Sequence, residues 1–272
     1  MRTVCAASAA FALAVTLSGS ATSAAPAQPV PDFSGIYLRV GNLWFDPILE
    51  ESAQPVQRLE VDHPNADDIW AGDSANPILQ PWAREIVKRN ADSEIALKHV
   101  YTTDDTCRPS GVPQALNLIG PLQILQLKDR VELIHERDQQ VRRVWLNVGH
   151  SANPPRSWYG ESVGHYEGDT LVVDTIGQNT RTVVDAFGTP HTEQLHVVER
   201  FQPFTTPFGK ALFITVEVVD PGTFTTPWKG TLEYRQDKSV TDTDENVCAE
   251  NNRTFAQGTT FGSIPEERTP AF

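Results

Sequence analysis

The chain is poor in the features that would place it in several common classes. It has 22 Lys and Arg against 35 Asp and Glu, a formal net charge of −13. Backbone phosphates demand clustered cations, so a nucleic-acid partner is not expected, and an anionic membrane surface is disfavoured for the same reason. Beyond residue 27 no apolar run is long enough to span a bilayer, so no membrane insertion of the mature chain is expected. There is no phosphate loop and no glycine-rich dinucleotide fingerprint, and no cofactor is expected. The letters G-x-S-x-G occur at Gly160–Gly164, but they lead into a β-hairpin. A nucleophilic Ser162 would need a strand-to-helix turn there.

Cysteine is also scarce. Of three, Cys5 lies in an N-terminal stretch that reads as an export signal. Arg2 supplies a short positive region, Val4 to Leu17 an apolar core, and Ala25-Pro-Ala27 or Thr22-Ser-Ala24 a small-residue cleavage site. Residues 1–27 are therefore expected to be removed, and the mature protein to be periplasmic or secreted. In an oxidising compartment Cys107 and Cys248 are then expected to form a disulfide, with two buried free thiols as the alternative. Such a bridge ties the C-terminal tail to the segment before the first long strand.

What the chain has in quantity is short strands. DFSGIYLRV (32–40) reads as an early strand after a Pro/Ala tether. Residues 28–112 otherwise hold irregular, Pro-, Asp- and Asn-rich sequence and one helix, predicted from about Pro81 to Ser93. Its apolar stripe is Ile78, Trp82 and Ile86, with Leu79, Ala83 and Val87 beside it. From Pro113 to the C-terminus the pattern changes. Three strands fall within 121–148, joined at Lys128-Asp-Arg130 and Asp138-Gln-Gln140. Two follow in 161–177 around the turn Glu167-Gly-Asp-Thr170, then 191–204, 211–219 and 228–237. Hairpin following hairpin with no intervening helix predicts an all-β fold. The expected form is an antiparallel meander closing into a lipocalin-like barrel, with one short N-terminal helix packed on it. A two-sheet sandwich is the alternative.

Several short motifs occur together in one order. They are Cys107-Arg-Pro-Ser-Gly-Val-Pro113, Pro121-Leu-Gln-Ile-Leu-Gln126, Trp158-Tyr-Gly-Glu-Ser-Val-Gly164 and Glu167-Gly-Asp-Thr-Leu-Val-Val-Asp-Thr175. Pro190-His-Thr-Glu193 leading to Glu199-Arg200, then Asp220-Pro221 and Thr226-Pro-Trp228, complete the set. Over about residues 105–230 the combination resembles a large family of exported, mostly uncharacterised bacterial proteins. That resemblance implies export and assigns no catalytic residues. Sphingomonad-type bacteria use several unrelated β-rich proteins as cofactor-free lyases on lignin-derived aromatics, which makes such chemistry an expectation to test.

Candidate site residues are those whose polarity disagrees with an otherwise apolar strand face. Glu199 alternates with Leu195, Val197 and Phe201, and Asp174 with Val172 and Ile176. His135 and Arg137 share a face with Val131 and Leu133, and His191 lies upstream of Glu199 on the same parity. A carboxylate buried without a partner has its pKa raised and suits proton transfer, whereas a nearby arginine keeps it ionised. A buried salt bridge among Asp174, Glu199 and Arg137 is the structural alternative. Trp145, Trp158, Tyr159, His165 and Tyr166 are the candidate pocket lining for a flat apolar ligand. No metal site is expected, because neither His191 with His196 nor His165 with Glu167 and Asp169 has a recognised ligand spacing.

These readings converge on an exported, cofactor-independent enzyme doing lyase, isomerase or hydratase chemistry on a small apolar, aromatic molecule. Glu199 or His191 is the expected base, with Arg137 or His135 steadying negative charge. A lipocalin-like carrier with the same pocket and no turnover is the alternative. An interaction module with a side-chain-filled barrel is the third.

Overall fold

A computed structural model describes residues 30–248, apart from 65, 67, 68, 99, 101 and 102. The expected signal peptide and the tail beyond Cys248 lie outside the described residues.

Among the described residues there are ten strands and one α-helix. The strands are β1 (Gly35–Val40), β2 (Asp46–Pro47), β3 (Leu122–Gln126), β4 (Arg130–His135), β5 (Gln140–Leu146) and β6 (Glu161–Glu167). Then come β7 (Thr170–Ile176), β8 (His196–Thr206), β9 (Gly209–Val219) and β10 (Trp228–Gln236). Neighbours follow sequence order from β3 to β10, and β1 pairs with both β3 and β10. The result is a closed nine-stranded barrel. Short β2 continues along the same side of β10 beyond the end of β1. The early strand is thus a stave of the barrel itself, and a boundary at residue 112 cuts through the closed sheet.

The meander is not wholly antiparallel. Strands that alternate direction cannot close a ring of odd number, so one neighbouring pair must run parallel. That pair is β5–β6, registered Val144 to Ser162 and Leu146 to Gly164. Parallel neighbours need a long return, and residues 147–160 supply it as a strap running up the outer wall. The strap ends at Gly160, where φ is +65° and an added Cβ would sit 2.2 Å from the Ile176 carbonyl oxygen. Only glycine fits that conformation and that approach.

Inward-facing side chains fill the lumen. At one end Phe33 stacks on Tyr166, while Gln126 receives the Phe33 N–H and donates to the Tyr166 hydroxyl. The middle is aliphatic and aromatic, with Leu133, Val173, Phe201, Ile214 and Tyr234 fully buried. At the other end the buried segment Ser110–Leu118 forms a plug. The Gln178 amide exchanges two hydrogen bonds with the Val112 backbone, and the Tyr234 hydroxyl donates to the Leu116 carbonyl. Among the described residues, side chains occupy the lumen from the Tyr166 end to the plug.

The helix, α1 (Pro81–Ile95), lies over the plugged end. It begins at Pro81, whose missing N–H costs nothing in a first turn. Its buried stripe is Ala83, Val87 and Ala91, rotated from the predicted stripe. Trp82 is exposed, with its indole N–H donating to the Gly222 carbonyl at 2.6 Å. Small residues on the inner stripe let α1 approach the loop at Phe187–Gly188, whose carbonyls accept from Asn90.

Cys107 and Cys248 form the expected disulfide, with Cα atoms 5.3 Å apart. It closes a loop with a sequence separation of 141, so in the chain-entropy account it restricts the unfolded chain by up to about 5 kcal/mol. Reduction, or the Cys107→Ser/Cys248→Ser pair, is expected to lower the thermal midpoint by roughly 5–10 °C. An unchanged midpoint by calorimetry would contradict that contribution.

Candidate functional site

Glu199 is inside the lumen and fully buried, as its apolar neighbours predict. Its partner is Arg142, which sequence reading passed over. The Arg142 guanidinium donates to Glu199 Oε1 at 2.9 Å and also to Oε2, a bidentate fork. It further donates to Ser162 Oγ at 3.1 Å and Thr175 Oγ1 at 2.8 Å. Both carboxylate oxygens are therefore engaged by a cation, and neither faces solvent. This arrangement is a structural ion pair joining β5, β6, β7 and β8. It leaves Glu199 without a role as a base, and it buries Ser162 where no substrate reaches it.

The other expected lumen residues divide. His135 is buried on β4, and burial, reinforced by the nearby Arg142 charge, pushes its pKa down to about 3. His191 lies in the loop before β8, because Thr192 is tied back to the Asp220 carboxylate and the strand starts only at His196. Its Nδ1–H donates to the Thr192 carbonyl and its Nε2 accepts from the Thr182 hydroxyl at 2.7 Å. Burial lowers its pKa, against the pull of that carbonyl. Both histidines are packed against protein on all sides, and burial disfavours the charged form of each. Arg137 is in a turn after β4, away from Glu199, on the wall of a cavity beside α1.

The five expected pocket residues do not meet. Trp145 is exposed on the outer wall, with Arg130 over its ring, and His165 is exposed beside Glu167. Tyr166 belongs to the lumen floor. Trp158 and Tyr159 are half-buried at the top of the strap. Arg181 covers the Trp158 ring, and the Tyr159 hydroxyl donates to Gln140 Oε1. Parity decides these outcomes. Arg142, Val144 and Leu146 are the inward set of β5, which turns Arg143 and Trp145 outward.

Asp174 also faces outward, and there it is the centre of a cluster. Its Oδ1 accepts from His196 Nε2 at 2.8 Å and from His150 Nε2 at 2.9 Å. His150 comes from the strap, and its Nδ1 lies 3.0 Å from Glu161 Oε2. Each His150 ring nitrogen therefore meets one carboxyl side chain, Asp174 on one side and Glu161 on the other. Glu161 is fixed in turn by the Ser151 hydroxyl at 2.6 Å and the Ser151 N–H at 2.8 Å. Hydrogen bonds from the Ser151 hydroxyl, with smaller help from His150, hold the Glu161 carboxyl below its ordinary range. Burial works to raise Asp174, but the two histidine contacts win and keep it low. The Asp174 hydrogen bond raises His196, burial opposes it, and Glu217 on β9 adds to the rise.

The sheet register surrounds this cluster with apolar floor. Val163 and Val198 flank Asp174 on β6 and β8, and Val219 lies opposite His196 on β9. Side chains of His150 and Glu161 are about a fifth exposed, and those of Asp174 and His196 about two-fifths. Two histidines and two carboxyl side chains thus sit within reach of solvent on an apolar shelf. Among the described residues, no group of three or more His, Cys, Asp or Glu side chains is arranged to hold a metal ion. His150 had no sequence signal, since it reaches the wall from an irregular loop. In comparisons with known proteins, the chain matches no family model, no curated protein and no solved structure.

Two predictions separate the structural groups from the titrating ones. Glu199→Gln leaves a buried guanidinium uncompensated and is expected to cost about 3–5 kcal/mol of stability, whereas Arg142→Met/Glu199→Leu recovers most of it. Denaturant unfolding of the three proteins reads this directly. Asp185, buried beside the Phe187 loop, has its pKa raised to about 6 by burial, against the N–H groups of Phe187 and Thr189. The folded state therefore holds a proton that the unfolded state has released, and stability falls as pH rises from about 4 to 6. Asp185→Asn is expected to flatten that fall by up to about 3 kcal/mol, read from thermal midpoints across pH.

Proposed function

We propose that the protein is an exported, cofactor-independent enzyme that moves a proton on a small apolar, aromatic substrate bound against the outer wall. The observation that carries this reading is the sharing of one carboxylate oxygen, Asp174 Oδ1, by two histidines above an apolar shelf. His196 is the acid–base group, because it is the more exposed imidazole of the two. Asp174 orients its ring and holds its proton. His150, fixed between Asp174 and Glu161, holds the Asp174 carboxyl group in place beside His196. Lyase, isomerase and hydratase reactions share that need for a positioned proton. The disulfide supports an oxidising compartment, and among the described residues no helix is long and apolar enough to cross a membrane. Lignin-derived aromatics are the first substrates to try, as the expectation raised by the exported, β-rich sequence.

Turnover of a panel of lignin-type aromatic dimers and monomers tests the proposal. His196→Gln is expected to lower kcat about 10²–10⁴-fold, the usual weight of a general acid–base group. Asp174→Asn removes the hydrogen bond that raises His196, so the proton-donating form is lost at lower pH and the basic limb of kcat/KM moves down. Full activity in His196→Gln, or stoichiometric binding with no product in the wild type, contradicts the enzyme reading, and the second result identifies a carrier.

A further inference from the structure

The His196 cluster has a second side, toward β9. Val197, Glu199, Val216 and Val218 fill the inner face of β8 and β9, so His196, Val198, Glu217 and Val219 point outward. The register sets His196 opposite Val219 and Val198 opposite Glu217. His196 and Glu217 therefore stand at diagonal corners of a square whose other corners are valines. Diagonal neighbours of this kind lie about 7–8 Å apart. A flat ring resting on the two valines meets a polar group at each end.

Both polar groups are open. His196 Nε2 is committed to Asp174 Oδ1, which leaves Nδ1 as the working nitrogen of that ring. Among the described residues nothing bonds to Nδ1 or to either Glu217 oxygen, and none of the three atoms is sealed from water. The cations on flanking positions are engaged elsewhere. Lys229, opposite Glu217 on β10, reaches Glu51 at 3.2 Å, and Arg200 reaches Glu167 at 2.7 Å. Across the cluster, Asp174 and Glu161 add two carboxyl groups held below their ordinary range. A hydroxyl group arriving here supplies the donor that Glu217 lacks. A carboxylate brings only more acceptors and like charge.

We infer that Glu217 sets the substrate class of the site proposed above: an aromatic ring that carries a hydrogen-bond donor and no negative charge, such as a phenol. The donor bonds to the Glu217 carboxyl group, the ring lies on Val198 and Val219, and its reacting end meets His196 Nδ1. The place of that reacting end rests on the acid–base reading of His196, whereas the choice of ring is made by binding alone.

Fluorine NMR on the full chain measures the choice with 4-fluorophenol, 4-fluoroanisole and 4-fluorobenzoate as probes. Histidine-selective ¹⁵N NMR reads from His196 whether binding occurs at this site. 4-Fluorophenol is expected to bind at least about tenfold more tightly than 4-fluoroanisole, whose oxygen has no proton to give. 4-Fluorobenzoate is expected to bind most weakly of the three. Glu217→Leu, a change at a half-buried outward position, is expected to erase the preference for the phenol while phenol and anisole both still shift His196. Glu217→Lys is expected to rank the benzoate first. No binding, equal binding of phenol and anisole, a preference that survives Glu217→Leu, or binding that leaves His196 unshifted would overturn the inference. A phenol preference that depends on Glu217 in a protein without turnover supports this ligand class and contradicts the enzyme reading alone. Turnover that is lost in His196→Gln, with no phenol preference in the wild type, does the reverse.

Discussion

The Arg142–Glu199 pair spans the barrel wall at its one parallel seam. An odd ring of strands must contain one parallel seam, and here that seam is the short contact between β5 and β6. Arg142 leaves β5 just above it, passes Ser162 on β6 and Thr175 on β7, and ends on Glu199 of β8. A buried pair of this kind contributes little net stability over an apolar replacement, but losing one member is expensive. Its value lies in register. Sliding β5 by one residue would point Arg142 outward and leave Glu199 alone in the core.

The same strands carry a second charged system on their other face. Ser162, Thr175 and Glu199 point inward, while Glu161, Asp174 and His196 point outward from the same three strands. The two systems differ in environment rather than in residue type. Inside, carboxylate and guanidinium are sealed from water and saturated with hydrogen bonds. Outside, histidines and carboxyl side chains are hydrogen-bonded to one another at partial exposure, within reach of water. The strap connects the two, since the segment required by the parallel seam also delivers His150 to Asp174.

The nine longer strands, the single helix, barrel closure and the disulfide were legible from alternation, turn residues and cysteine count, whereas two-residue β2 and the place of β1 in the ring were not. The misplaced carboxylate at Glu199 was also visible, because period two put it among Leu195, Val197 and Phe201. What alternation could not supply was the partner. Arg142 and Arg143 are adjacent, and both parities of β5 look half apolar, so the inward arginine was concealed by a one-residue choice. His191 was placed on a strand that begins five residues later, since the Thr192–Asp220 tie is a long-range contact with no local signature. The outer cluster depends on a loop histidine and on three strands brought side by side. No spacing along the chain encodes such a meeting.

The central claim is that proton-active histidines lie on the outer wall and that the buried ones are inert. Histidine-selective ¹⁵N NMR through a pH titration addresses it without any substrate. The account predicts that His196 keeps its proton above the ordinary histidine value, that His135 stays neutral between about pH 5 and 8, and that His191 titrates below the ordinary value from its Nδ1–H form. A His196 that titrates below the ordinary value, with His135 charging in that range or His191 titrating above the ordinary value, would contradict it.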